Sequence, residues 1–142
     1  MKIFKSAFVA VVLSAISSTS SFAAGIVAYI DISSQTMTVT KYGFPIHTWR
    51  VSTARDGYYT PTGQYRPQRM ARMWYSKKYD NAPMPYSVFF NGGYAIHGTN
   101  HVKQLGRPAS HGCVRLDTVN AARFYSMIEA EGRGNTRIVI TR

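Results

Sequence analysis

The chain has 142 residues, of which 17 are Lys or Arg and only 6 are Asp or Glu, giving a formal net charge of +11 with a single cysteine. One domain with one core fits that length and a second module does not, and one cysteine excludes an internal disulfide framework. So basic a surface points to an anionic partner.

The first 23 residues have the layout of a secretory signal peptide. Met1-Lys2-Ile3-Phe4-Lys5 is a basic start, Ser6 to Ile16 is apolar, and a Ser/Thr-rich stretch reaches Ser21-Phe22-Ala23. The apolar run falls short of the roughly 20 residues that span a bilayer. Cleavage is expected before Ala24, leaving an exported, soluble domain over residues 24–142 with no stable membrane insertion and a periplasmic address. Taking Lys2 and Lys5 away reduces the charge from +11 to +9. Export argues against nucleic acid as the anionic partner and favours polymers of the cell envelope. It also sharpens the meaning of the lone cysteine, since an unpaired thiol in an oxidising compartment is either an intermolecular link or a reactive group.

In the mature part, Gly25 to Ile32 alternates Ile26, Ala28, Ile30 and Ile32 against Val27, Tyr29 and Asp31, the period of a strand with one buried face. Ser33-Ser34-Gln35 turns the chain, Thr36 to Lys41 is β-branched, and Tyr42-Gly43 turns it again before Phe44 to Thr53, so three antiparallel strands are expected in succession. His47 shares a side with Trp49 and Val51 and reads as a structural histidine. Thr60-Pro61-Thr62-Gly63-Gln64-Tyr65 looks like a turn feeding another strand. Between Arg66 and Pro85 no clean period survives, and Arg66, Arg69, Arg72, Lys77 and Lys78 interleave with Met70, Met73, Trp74, Tyr75 and Tyr79. A long basic and aromatic loop is expected there, serving as a lid or substrate wall or packing Trp74 and Tyr75 on the edge of the core.

Ser87 to Phe90 and Tyr94 to His97 flank Asn91-Gly92-Gly93, a hairpin signal. From Asp117, a plausible N-cap, the period becomes helical, with Ala121, Phe124, Tyr125 and Ile128 on one face and Gly132 at the end. Arg137 to Thr141 reads as a final strand. The expected fold is mainly β with one helix soon after the cysteine.

The chemistry concentrates in Ser110-His111-Gly112-Cys113-Val114-Arg115, which sets the only cysteine between a histidine and an arginine in a glycine-relaxed turn. A thiol attacks as thiolate, and imidazole or guanidinium nearby lowers its pKa from about 8.5. Upstream, His97 ends the apolar run of Ile96-His97-Gly98-Thr99-Asn100. Cysteine enzymes commonly bring such separated pairs together in space.

His97-Gly98-Thr99-Asn100 followed by Ser110-His111-Gly112-Cys113-Val114-Arg115 resembles the signature of the L,D-transpeptidase (YkuD) family. Thr60-Pro61-Thr62-Gly63 and Ile30-Asp31-Ile32-Ser33 resemble further family segments, so the likeness extends over nearly the whole mature chain. It implies a β-sandwich of mixed sheets with one α-helix following the cysteine turn, and a thiol acyltransferase acting on bacterial peptidoglycan. In that family the cysteine attacks the amide between the L-centre of meso-diaminopimelate and the terminal D-alanine of a tetrapeptide stem. D-alanine leaves, and an amine of a second stem takes the acyl group to form a 3-3 cross-link.

Carried over by position, Cys113 is the nucleophile, His97 the general base, and the carbonyl of Gly98 the group that orients the imidazole. Arg115 would stabilise the thiolate or hold a substrate carboxylate; some members carry Asn there. Ser110, His111, Gly112 and Thr99 are expected to support the turn and the substrate, with oxyanion donors sought at Gly112-Cys113. No cofactor is expected. His97, His101, His111 and Cys113 are zinc-ligand types, but their spacing matches no ligand pattern. The partners are stem peptides, with a protein amine of the envelope or water as other acceptors for the same acyl-enzyme. A murein-binding protein without chemistry is the reading from another class, and it leaves Cys113 and His97 idle.

Overall fold

The computed structural model describes residues 24–142; the signal-peptide reading lies outside them. In chain order the elements are β1 (Ile26–Asp31), β2 (Thr36–Lys41), β3 (Phe44–Arg50), β4 (Gly63–Tyr65), β5 (Arg69–Ser76), β6 (Ala82–Asn91), β7 (Tyr94–Thr99), β8 (Val114–Asp117), α1 (Thr118–Glu131) and β9 (Thr136–Thr141). They form a five-stranded sheet in the order β3-β2-β1-β9-β4 and a four-stranded sheet in the order β5-β6-β7-β8. Both are mixed, because β1 pairs with β9, and β7 with β8, in parallel. Among the described residues no helix is long and apolar enough to cross a membrane.

Period-two alternation decides how the first sheet faces. Ile26, Ala28 and Ile30 of β1, Met37 and Val39 of β2, and Ile138 and Ile140 of β9 are all buried. From the second sheet Val88, Phe90, Ile96, Val114 and Leu116 close on the same core, joined by Ala121, Phe124, Tyr125 and Ile128 of α1. Each large aliphatic or aromatic side chain buried there contributes about 1.5–3 kcal/mol. The helix begins where expected: the Asp117 carboxylate accepts the N–H of Val119 at 2.9 Å, satisfying a donor that has no partner inside the helix.

One expectation needs correction. Residues 66–85 are not an irregular loop. β5 and the first half of β6 make an antiparallel hairpin with Trp74 opposite Met84 and Ser76 opposite Ala82, closed by a short 3-10 turn at Lys77–Tyr79. Most of β5 is exposed on both faces, so nothing imposes the alternation that marks a strand resting on a core. Pro83 and Pro85 also argue against a strand, yet over Ala82–Tyr86 β6 has a paired neighbour on one side only, where a missing N–H does little harm. The helix follows the cysteine turn as expected, with a short strand between the two. Val114 and Leu116 turn inward to the core and make the intervening residues a fourth strand, β8.

Candidate active site

β7 and β8 bring the two motifs together. Their parallel register pairs His97 with Arg115, so the two side chains stand on the same face, and Cys113 enters that face from the turn before β8. All three line one cavity of about 1330 Å³, together with Tyr58, Tyr59, Tyr94, Thr99, Ser110, His111 and residues of the β5–β6 hairpin. His47 is not part of it; it stacks on Trp49 of β3 with ring centroids 4.7 Å apart.

His97 is 6% exposed, and its Nδ1 lies 2.7 Å from the carbonyl oxygen of Gly98. A carbonyl only accepts, so Nδ1 carries the hydrogen and the lone pair of the neutral ring is on Nε2. Burial pushes the imidazole pKa down to about 4, with the Gly98 carbonyl opposing that shift and the Arg115 charge adding to it. A second contribution of Gly98 is its lack of a side chain. A Cβ there would stand 2.9 Å from Thr118 Oγ1, 3.0 Å from the Thr118 Cα and 3.1 Å from Pro85 Cγ.

Cys113 is half-buried and packs against the cluster of Met84, Phe89 and Ala95. That apolar wall raises the thiol pKa, while the Ala95 amide and the Arg115 charge pull it back. The guanidinium of Arg115 donates to Gln104 Oε1 at 3.2 Å. Among the described residues the ion pairs are Lys41–Glu131 and Arg72–Glu129, so Arg115 meets no carboxylate of its own chain and remains available to an anionic ligand.

The turn owes its shape to Ser110, which is fully buried. Its hydroxyl donates to the Cys113 carbonyl at 2.6 Å and accepts the Gly112 N–H at 3.0 Å. The Gly112 N–H is therefore already engaged and does not serve as an oxyanion donor; the N–H groups of His111 and Cys113 are the turn's remaining candidates. Gly112 has φ +135°, and a Cβ on it would come within 2.6 Å of the Tyr94 ring and 2.9 Å of the Tyr59 carbonyl oxygen. Gly112→Ala should cost about 1–3 kcal/mol from backbone strain and crowding, and should disturb Cys113 more than the fold; thermal melting and the rate of Cys113 alkylation would separate the two. Thr99, 8% exposed, accepts the His101 N–H on its hydroxyl at 3.1 Å and so shapes the loop beyond His97.

Several contributors lie outside the two motifs. Thr60, in the Thr-Pro-Thr-Gly segment, donates to the Gly112 carbonyl at 2.8 Å and accepts the Ala54 N–H at 3.0 Å. The segment after β3 runs beside the cysteine turn: Ser52 exchanges backbone hydrogen bonds with Arg115, and the Thr53 carbonyl accepts from Ala109 and Ser110. Buried Gln35 anchors this segment by accepting the Thr53 N–H and donating to the Thr53 hydroxyl. Arg55 continues it, its Nη2 donating to Nε2 of His111 at 2.9 Å. Tyr79 stacks on the same ring at 4.0 Å between centroids. On the hairpin, the Arg69 guanidinium stands 4.4 Å from the Trp74 centroid and 3.7 Å from that of Phe89. Sequence spacing carries no signal for contacts across such distances in the chain. Among the described residues no three or more His, Cys, Asp or Glu side chains converge to hold a metal ion.

Two mixed sheets with a histidine and a cysteine delivered to one cleft from adjacent parallel strands define a known class of domain. The model of the YkuD family, the L,D-transpeptidase catalytic domain, matches residues 25–140, and the chain belongs to that family. Bacillus subtilis YkuD is 22% identical over 117 residues, which cover 80% of this chain and 64% of that protein. Of the solved structures, an L,D-transpeptidase from Mycobacterium smegmatis superposes with a TM-score of 0.75 at 21% identity, covering 84% of this chain and 59% of that one. The L,D-transpeptidase LdtMt1, solved in complex with imipenem, gives a TM-score of 0.73 at 22% identity over 83% and 59% of the two chains. This chain thus spans less than two thirds of the length of these relatives.

Proposed function

We propose that this protein is an exported cysteine acyltransferase that forms 3-3 cross-links in peptidoglycan. The observation that carries the reading is the meeting, in one cationic cleft, of a lone thiol and a buried imidazole whose tautomer is held by the Gly98 carbonyl. Cys113 attacks the carbonyl of the L-centre of meso-diaminopimelate in a tetrapeptide stem, and Nε2 of His97 takes the thiol proton as the C–S bond forms. The tetrahedral oxyanion is held by backbone N–H groups. The C–N bond to D-alanine then breaks, and the imidazolium returns its proton to the departing amine. The resulting thioester passes its acyl group to the side-chain amine of a second stem, whose proton returns through His97 and restores the thiol.

Charge supports the substrate class. Arg69, Lys77, Lys78, Arg115 and the single carboxylate of Asp80 line the cleft, an excess of cations suited to the carboxylates of stem peptides. The signal-peptide layout of residues 1–23 supports a periplasmic address for residues 24–142. Purified residues 24–142 incubated with tetrapeptide-stem muropeptides are expected to yield dimers lacking one D-alanine, read by mass spectrometry. Tripeptide monomers alone would instead identify an L,D-carboxypeptidase with water as acceptor. No product at all would shift the reading to transfer onto an envelope protein or to simple murein binding.

A further inference from the structure

His111 sits in the cysteine turn, yet its polar contact is not with Cys113 or His97. Three segments converge on its ring. Arg55 donates to Nε2 at 2.9 Å. Tyr79, at the tip of the β5–β6 hairpin, lies face to face with it, the planes only 5° apart. Tyr58 meets it edge-on at 4.9 Å. Arg55 also grips the turn through its main chain, its N–H donating to the Ser110 carbonyl at 3.0 Å while its own carbonyl accepts from Tyr58.

A guanidinium has donors only, so the bond from Arg55 requires a lone pair on Nε2 and a neutral ring with its hydrogen on Nδ1. We propose that Arg55 is a positioning residue for the cysteine turn: by holding the His111 ring flat against Tyr79, it keeps the hairpin tip docked on the turn and the turn in its working shape. This rests on the reading of Cys113 as the nucleophile. Protonation of His111 would set donor against donor and release the tip. The groups facing the ring are Arg55 and Tyr58 from the segment before Thr60, Lys78 and Tyr79 from the hairpin tip, and Arg115 from β8. Among the described residues Asp56 and Asp80, on the same loops, form no ion pair. Burial foremost, then Arg55, Arg115 and Lys78, holds the His111 pKa below its ordinary value, so the docked arrangement prevails at neutral pH and is lost on acidification.

The test compares the wild-type chain with Arg55→Ala and Arg55→Lys, using two readouts that need no turnover. One is the NMR titration of the His111 ring. The other is the rate of Cys113 alkylation by a bulky maleimide relative to iodoacetamide, which reports how far the tip covers the thiol. In Arg55→Ala the His111 midpoint should move up, and the bulky-to-small ratio should rise about tenfold, the worth of a charge-assisted hydrogen bond. Arg55→Lys, which still donates but from a single point, should fall between. Tyr79→Ala, approaching from the hairpin side, should raise the same ratio. An unmoved titration and ratio in Arg55→Ala overturn the proposal even if muropeptides are turned over normally. Shifts as expected, in a protein that makes no muropeptide product, uphold it and remove only the transpeptidase reading.

Discussion

Cys113→Ala is expected to reduce acyl transfer by about 10⁴- to 10⁶-fold, the scale of losing a covalent nucleophile. The fold should survive. Cys113 is half-buried and touches Met84, Phe89 and Ala95 at the margin of a small cluster rather than the main core, so the deletion costs about 1 kcal/mol or less. Activity and melting temperature therefore separate cleanly. Intact mass gives a second reading of the same thiol. If the proposed acyl-enzyme reading holds, a carbapenem such as imipenem, the ligand in the LdtMt1 structure, should add its mass to the wild-type chain and not to Cys113→Ala. A wild-type mass unchanged by excess drug would mean that the turn does not present a competent nucleophile, and would favour the reading of a binding protein.

How much of this was legible in the sequence depends on what each residue faces. β1 and β2 rest on a core with one face, so their alternation could be read directly, as could the α1 face of Ala121, Phe124, Tyr125 and Ile128, all buried. Tyr86, in the middle of β6, has φ +52°, a local departure that no pattern of apolar residues announces. β5 is mostly exposed on both faces and so left no period. β8 has only four residues, too few for Val114 and Leu116 to establish one. At the candidate site, His97 and Cys113 stand out in the sequence because their chemistry is scarce: one cysteine in the chain, and a histidine followed by a glycine that leaves its carbonyl open. Arg55 and Tyr79 were not, since their roles come from meeting His111 across separate segments, and arginine and tyrosine are plentiful here. Thr60 lies between. Its segment was singled out as a turn into β4, but its hydrogen bond to Gly112 is visible only in three dimensions.

Removing the His97 ring should slow the reaction by about 10²- to 10⁴-fold, the usual contribution of a positioned general base; His97→Gln is the variant of choice because it leaves a polar group for the Gly98 carbonyl. The pH dependence discriminates between two ways of using this pair. Burial holds the imidazole pKa down at about 4 and pushes the thiol up from its ordinary value, so at neutral pH both partners rest uncharged. In the proposed reaction, thiolate would then form only as the proton passes to Nε2 during attack, and the transient imidazolium, an acid of low pKa, would readily protonate the leaving amine. Iodoacetamide alkylation of wild-type Cys113 should therefore climb with pH through and beyond the ordinary thiol range. Turnover should fall at the acid end as pH drops through about 4 and the ring takes up its own proton. A preformed thiolate–imidazolium pair would behave differently, with alkylation already on a plateau between pH 5 and 8. Such a plateau, abolished in His97→Gln, would refute the neutral resting state; a steady climb in wild type with slower turnover in His97→Gln is the result this geometry requires.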